Sequence, residues 1–218
     1  MNAGSGDVHE RAGDVRERRR ADGRRREDGR RHEDGRRRDE LIDRLITLFL
    51  ERGFADLGIA DMAAVLRCSK STLYTVAPSK EQIIVTVVRA FFRRATARVE
   101  ARLDAGADPR DRLAAYLRAI SDELGPASPA FFADLTDFVP TREVYRQNTL
   151  IAAGRVRRLV REASPAGDAA FVGAVAGLVM ESIHSGEIRA ATGLADSAAY
   201  AALADLIGAR MTRPEQAG

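Results

Sequence analysis

The run Ser69-Lys70-Ser71-Thr72-Leu73-Tyr74-Thr75 gathers hydroxyls, an amine and a phenol into one short stretch. That chemistry suits phosphate oxygens and base edges rather than bond making. If Ser69 opens a helix, the helix N-terminus and the hydroxyls of Ser69, Ser71, Thr72 and Thr75 can meet an anion. Lys70, and Lys80 a little further on, can bind phosphate and release counterions. Tyr74 is amphipathic and can lie on a nucleic-acid backbone, while Leu73 takes the inward position. Reactive chemistry is thin elsewhere. One cysteine, Cys68, excludes an internal disulfide and a thiolate-rich zinc site. The histidines His9, His32 and His184 are far apart in sequence. No nucleophile–base pair or glycine-rich phosphate loop is visible, so neither an enzyme, a cofactor nor a metal is expected.

The elements that must carry this run read as helices, and the expected class is all-α. From Glu40 to Arg52, Ile42, Leu45, Ile46 and Phe49 recur at helical spacing, with Asp39 as cap and Gly53 as stop. A second helix covers about Ala60 to Leu66 and a third about Lys70 to Val76. The turn between them is short, which predicts a helix-turn-helix whose second helix enters a major groove. Pro78 and Ser79 precede a long fourth helix. Further helices are expected near Pro109, Ser128, Thr141, Gly167 and Ser197, separated by Gly and Pro, for about nine in all. The expected layout is a disordered arm over 1–38, a three-helix DNA-binding domain over 39–85, a helical bundle over 86–212 and a tail over 213–218.

Net charge is +3 over 218 residues, unevenly placed. Residues 1–38 hold 13 arginines against nine acids, and from Arg18 onward they form a six-residue Arg-rich repeat with almost no apolar side chain. Nothing there offsets the entropy of ordering, hence the expected disorder. The rest is nearly neutral, so only local patches can argue for nucleic acid. For Arg36, Arg37 and Arg38, next to the first helix, two readings stand: a solvated tail, or an arm that reaches DNA. No apolar run approaches a membrane span and no signal peptide is visible, so a cytoplasmic protein with no membrane partner is expected.

Residues 45–84 resemble the N-terminal domain of TetR-family regulators. The resemblance rests on Phe49, Gly53-Phe54, Met62-Ala63, the block Ser69 to Tyr74, and Pro78-Ser79-Lys80-Glu81. It implies a homodimeric repressor on a double-stranded DNA operator, released by a small-molecule effector. The chain departs from the pattern with Arg67 in place of the turn glycine, Gly58 in place of a Ser or Thr cap, and Val76-Ala77 in place of aromatics. The alternative is a helical ligand-binding or scaffolding protein whose degenerate helix-turn-helix does not read DNA. Phe92, Tyr116, Phe131, Phe132, Phe138 and Tyr145 can line an effector cavity, with Asp134, Asn148 or His184 as polar contacts, or can fill a plain core. Gly173, Gly177, Val179, Leu203 and Leu206 suit either a dimer face or packing within the chain. The resemblance favours the dimer, built on the last two long helices.

Overall fold

The computed structural model describes residues 29, 31–163 and 168–211. Among these the regular structure is helical throughout: ten helices and no strand. The chain divides into two compact units between Asp43 and Arg44.

In the first unit, residue 29 and residues 31–43 are helical, and residues 31–40 are exposed. They begin α1, which runs over 31–52. Arg37 pairs with Glu33 at 2.7 Å and Arg36 with Glu40 at 3.7 Å, each one turn apart. The disorder expected over 1–38 is therefore corrected for 29 and 31–38. Two effects outweigh the missing apolar side chains there: the favourable spacing of acid and arginine, and the low cost of extending a helix that an apolar segment already nucleates. Residues 1–28 and 30, with most of the repeat, lie outside the described residues, as does the tail over 213–218.

In the second unit, α1 buries Leu45, Leu48 and Phe49. It ends at Gly53, whose φ of +75° only glycine adopts without strain. The N–H of Gly53 donates to Phe49 O at 2.8 Å. α2 (Ile59–Leu66) starts behind Gly58, whose N–H donates to the Asp61 carboxylate at 2.9 Å. This is half of a capping box and makes up for the missing hydroxyl cap. α3 (Lys70–Tyr74) follows after three residues. α4 (Lys80–Ala101) opens at Ser79, which accepts from Gln82 N, and buries Ile84, Val87, Val88, Phe91, Ala95 and Val99 at the anticipated spacing.

α5 (Pro109–Leu124), α6 (Pro129–Asp137), α7 (Val139–Ala163), α8 (Asp168–His184), α9 (Glu187–Thr192) and α10 (Asp196–Met211) complete the chain. α10 packs chiefly on α5, and α8 on α7; α7 also meets α4, α5 and α6. Pro140 marks the boundary between two helices, as its sequence context suggested: α6 ends at Asp137 and α7 begins at Val139. It sits in the first turn of α7, where a missing N–H costs nothing. α9 was unforeseen because six residues carry too little periodicity to read.

Candidate nucleic-acid interface

α2 and α3 form a helix-turn-helix across Arg67, Cys68 and Ser69. Arg67 takes φ 50° and ψ 48°, the left-handed conformation that lets Cys68 N donate back to Ala63 O at 3.0 Å. Here a glycine would be expected, and arginine is used instead. Met62, Ala63 and Leu66 of α2, Leu73 of α3 and Val76 just beyond it are buried. That inner packing fixes which side of α3 faces out: Lys70, Ser71, Thr72, Tyr74 and Thr75 are exposed.

The hydroxyls are organised. Ser69 Oγ accepts from Thr72 N at 3.1 Å and lies 2.7 Å from Ser71 Oγ and 2.8 Å from Thr72 Oγ1. Thr75 donates to Thr72 O at 2.7 Å. Ser69 and Thr75 thus cap and brace the helix, leaving Lys70, Ser71, Thr72 and Tyr74 as the outward chemistry. Lys80 is half-buried and donates to Ala55 O at 2.9 Å. It ties α4 to the loop before α2. Sequence reasoning missed a further clamp: Arg44 donates to Leu66 O, holding α1 to the end of α2. Arg36, Arg37 and Arg38 are exposed on a helix rather than on a flexible arm, and the first two already pair with acids.

The expected aromatic lining of an effector cavity divides. Phe92, Tyr116 and Tyr145 do line a slot of about 40 Å³ among α4, α5, α7 and α10, joined by Thr96, Asn148 and Tyr200. Phe131, Phe132, Phe138, Asp134 and His184 are not on it. Phe131 meets Phe54 and Phe91 edge-on, at centroid distances of 6.1 and 5.6 Å. Phe132 lies under the Arg189 guanidinium at 5.3 Å, and Phe138 caps the end of α6. Asp134 accepts from Phe54 N and Ala55 N. His184 stacks edge-on against Tyr145 at 4.3 Å, and burial holds its pKa below the usual histidine value. Next to it the Tyr145 hydroxyl donates to the buried Asp196 carboxylate at 2.8 Å, which also pairs with Arg189. Sequence spacing cannot tell these core roles from a cavity wall, because both need an inward aromatic. Among the described residues no group of His, Cys, Asp and Glu could hold a metal ion.

No protein-family model and no curated protein matches the chain. Solved structures do. A TetR-family transcriptional regulator from Rhodococcus sp. superimposes with a TM-score of 0.61 over 81% of this chain and 100% of its own, at 19% identity. A transcriptional regulator from Saccharomonospora viridis, solved in complex with choline, gives 0.59 over 78% and 94%, at 20% identity. A TetR-family regulator from Thermus thermophilus gives 0.54 over 80% and 99%, at 20% identity. The chain has the TetR-regulator fold.

Within this fold the small-residue stripe of α8 packs inside the chain. Gly173 and Gly177 are buried, and a Cβ on either would meet Arg157 of α7 at 3.5 and 3.6 Å. Leu203 is buried and Val179 half-buried. Of the five residues expected at a dimer face, only Leu206 is freely exposed, at 71%. The exposed apolar side of α8 is instead Phe171, Val175 and Leu178, spaced four and three apart. No described helix is long and apolar enough to cross a membrane.

Proposed function

We propose that this protein is a dimeric, DNA-binding transcription regulator whose operator affinity is set by a small molecule. The observation that carries the reading is the outward face of α3: Lys70, Ser71, Thr72 and Tyr74 are exposed together behind the short turn from α2. In this reading residues 39–85 hold the DNA-reading head and residues 86–212 the dimer and effector domain. The protein acts in the cytoplasm and catalyses no reaction. That a regulator of the same fold was solved with choline supports a small-molecule role for the helical domain. Val76 is only 4% exposed. An aliphatic side chain therefore fills the place behind α3 where the resemblance suggested an aromatic, which weakens the case for a degenerate head.

The test is fluorescence anisotropy with DNA from the protein's own upstream region, over a range of salt. Lys70→Ala should weaken binding to every sequence and flatten the log–log salt slope by about one unit. An unchanged slope removes Lys70 from the interface. Failure of the parent chain to bind any upstream fragment above its non-specific level overturns the proposal.

A further inference from the structure

The seam between α4 and α7 carries an open groove that the DNA-reading head does not use. One stretch, of about 460 Å³, runs past Arg89, Arg93, Val144 and Ile151. A second, of about 580 Å³, continues past Ile151 to Arg158 and shares Thr96 with the first. Each is within the ~300–1,000 Å³ of small-molecule sites. Its charges are unbalanced. Glu143 is engaged by Arg146 at 2.7 Å and by Gln147 at 2.8 Å, which hold its pKa down near 2. Glu100 is engaged by Arg155 at 2.9 and 3.0 Å. Both acids on the groove are therefore already neutralised by arginine. Arg89, Arg93 and Arg158 have no ion-pair partner among the described residues. Arg89 and Arg93 stand one helical turn apart, close enough to share one anion.

Along its first stretch the groove is largely apolar, and Ile151, shared by both stretches, is 63% exposed. Inward, its wall is a hydrogen bond from Thr96 Oγ1 to Asn148 Oδ1 at 3.3 Å. Those two residues and Phe92 line both the groove and the aromatic slot behind it. A cationic rim, an apolar floor and a thin polar partition before an aromatic interior match one ligand class. We propose that the groove binds an organic anion with an apolar tail, its head on Arg89 and Arg93 and its tail along Ile151 toward the Thr96–Asn148 partition. Nucleic-acid phosphate would satisfy the arginines but leave the apolar floor bare. The proposal deepens the effector reading above and rests on it for its regulatory meaning, though not for binding itself.

Isothermal titration of the full chain tests it, with dodecanoate, dodecyltrimethylammonium, choline and inorganic phosphate as probes, each below micelle formation. Dodecanoate should bind at least tenfold tighter than the other three. Arg89→Ala/Arg93→Ala should weaken it by roughly tenfold or more, with the thermal midpoint unchanged because both side chains are exposed. Ile151→Gln should weaken dodecanoate but not phosphate. Absence of dodecanoate binding overturns the inference. So does equal or tighter binding of either ammonium probe or of phosphate. A double variant that loses DNA affinity but keeps dodecanoate assigns the arginines to DNA and also overturns it. Operator binding is measured separately. A chain that binds DNA but not dodecanoate keeps the regulator reading and loses this site, and the reverse result keeps the site and loses the regulation.

Discussion

Arg67 shows how much one residue can hide in a sequence. Its position in the turn is easy to find, but its backbone energy is not, since an arginine gives no sign of positive φ. An L-residue in the left-handed region costs about 1–2 kcal/mol, whereas glycine is nearly indifferent. Against this, glycine makes the unfolded chain more flexible, by about 0.4–1 kcal/mol. The backbone bonds of the turn do not depend on the side chain, which is exposed. Arg67→Gly should therefore stabilise the chain, by about 0.5–1 kcal/mol. The urea midpoint should rise with an unchanged slope. A fall in the midpoint would mean that the guanidinium makes a stabilising contact, and that the left-handed conformation is not the dominant cost at this position.

At the scale of elements, α6 is the link that periodicity could not reveal. Its Ser128 N–H donates to Leu50 O at 2.8 Å, and the Asp134 carboxylate takes the N–H groups of Phe54 and Ala55. One short helix thus holds the end of α1 and the loop leading to α2. Removing Asp134 leaves a partly buried N–H unpaired, at a cost of about 1–3 kcal/mol. Asp134→Ala should lower the unfolding midpoint and speed amide exchange at Phe54 and Ala55, while exchange in α5 and α10 stays slow. Asp134→Asn keeps an acceptor and should fall between. Equal exchange in all three proteins would sink the clamp. The helices themselves were legible, because Ile84, Val87, Val88 and Phe91 repeat at helical spacing over a long span and Ser69, Ser79 and Ser128 act as caps. The outward face of α3 was legible for the same reason, once Leu73 was set inside. Asp134 was not: 80 residues separate it from Phe54, and a lone acid among phenylalanines reads equally well as a cavity contact. The aromatic side chains failed similarly, since Phe131 packing on Phe54 and Phe92 facing the slot share one inward pattern.

For the whole molecule the proposed dimer raises the question of which face meets a second copy. A single helix-turn-helix touches too few base pairs to be specific, and two related by a two-fold axis would read major grooves about 34–36 Å apart. A two-fold contact uses the same patch on both chains, so the patch must be exposed, apolar and self-complementary. Phe171 and Leu178 of α8 are 68% and 65% exposed, and Leu206 of α10 is 71% exposed. Together the three form an exposed apolar patch across α8 and α10. Gly173 and Gly177 are buried beside Arg157 of their own chain, so the exposed leucines make the better candidates. Leu178→Asp separates the two placements. In an isolated chain the change lies in water and costs little. In a two-fold interface it buries two unpaired carboxylates, one from each chain, at several kcal/mol, and each step of about 1.4 kcal/mol is a tenfold loss of affinity. Sedimentation equilibrium at micromolar concentration should find the parent chain dimeric and Leu178→Asp monomeric, with helical circular dichroism retained and tight operator binding lost. Gly177→Ala, whose added methyl meets Arg157 at an ordinary 3.6 Å, should remain dimeric. A monomeric parent, or a Leu178→Asp protein that stays dimeric, would place the contact elsewhere. In the latter case a two-fold axis through another face would have to supply the operator spacing.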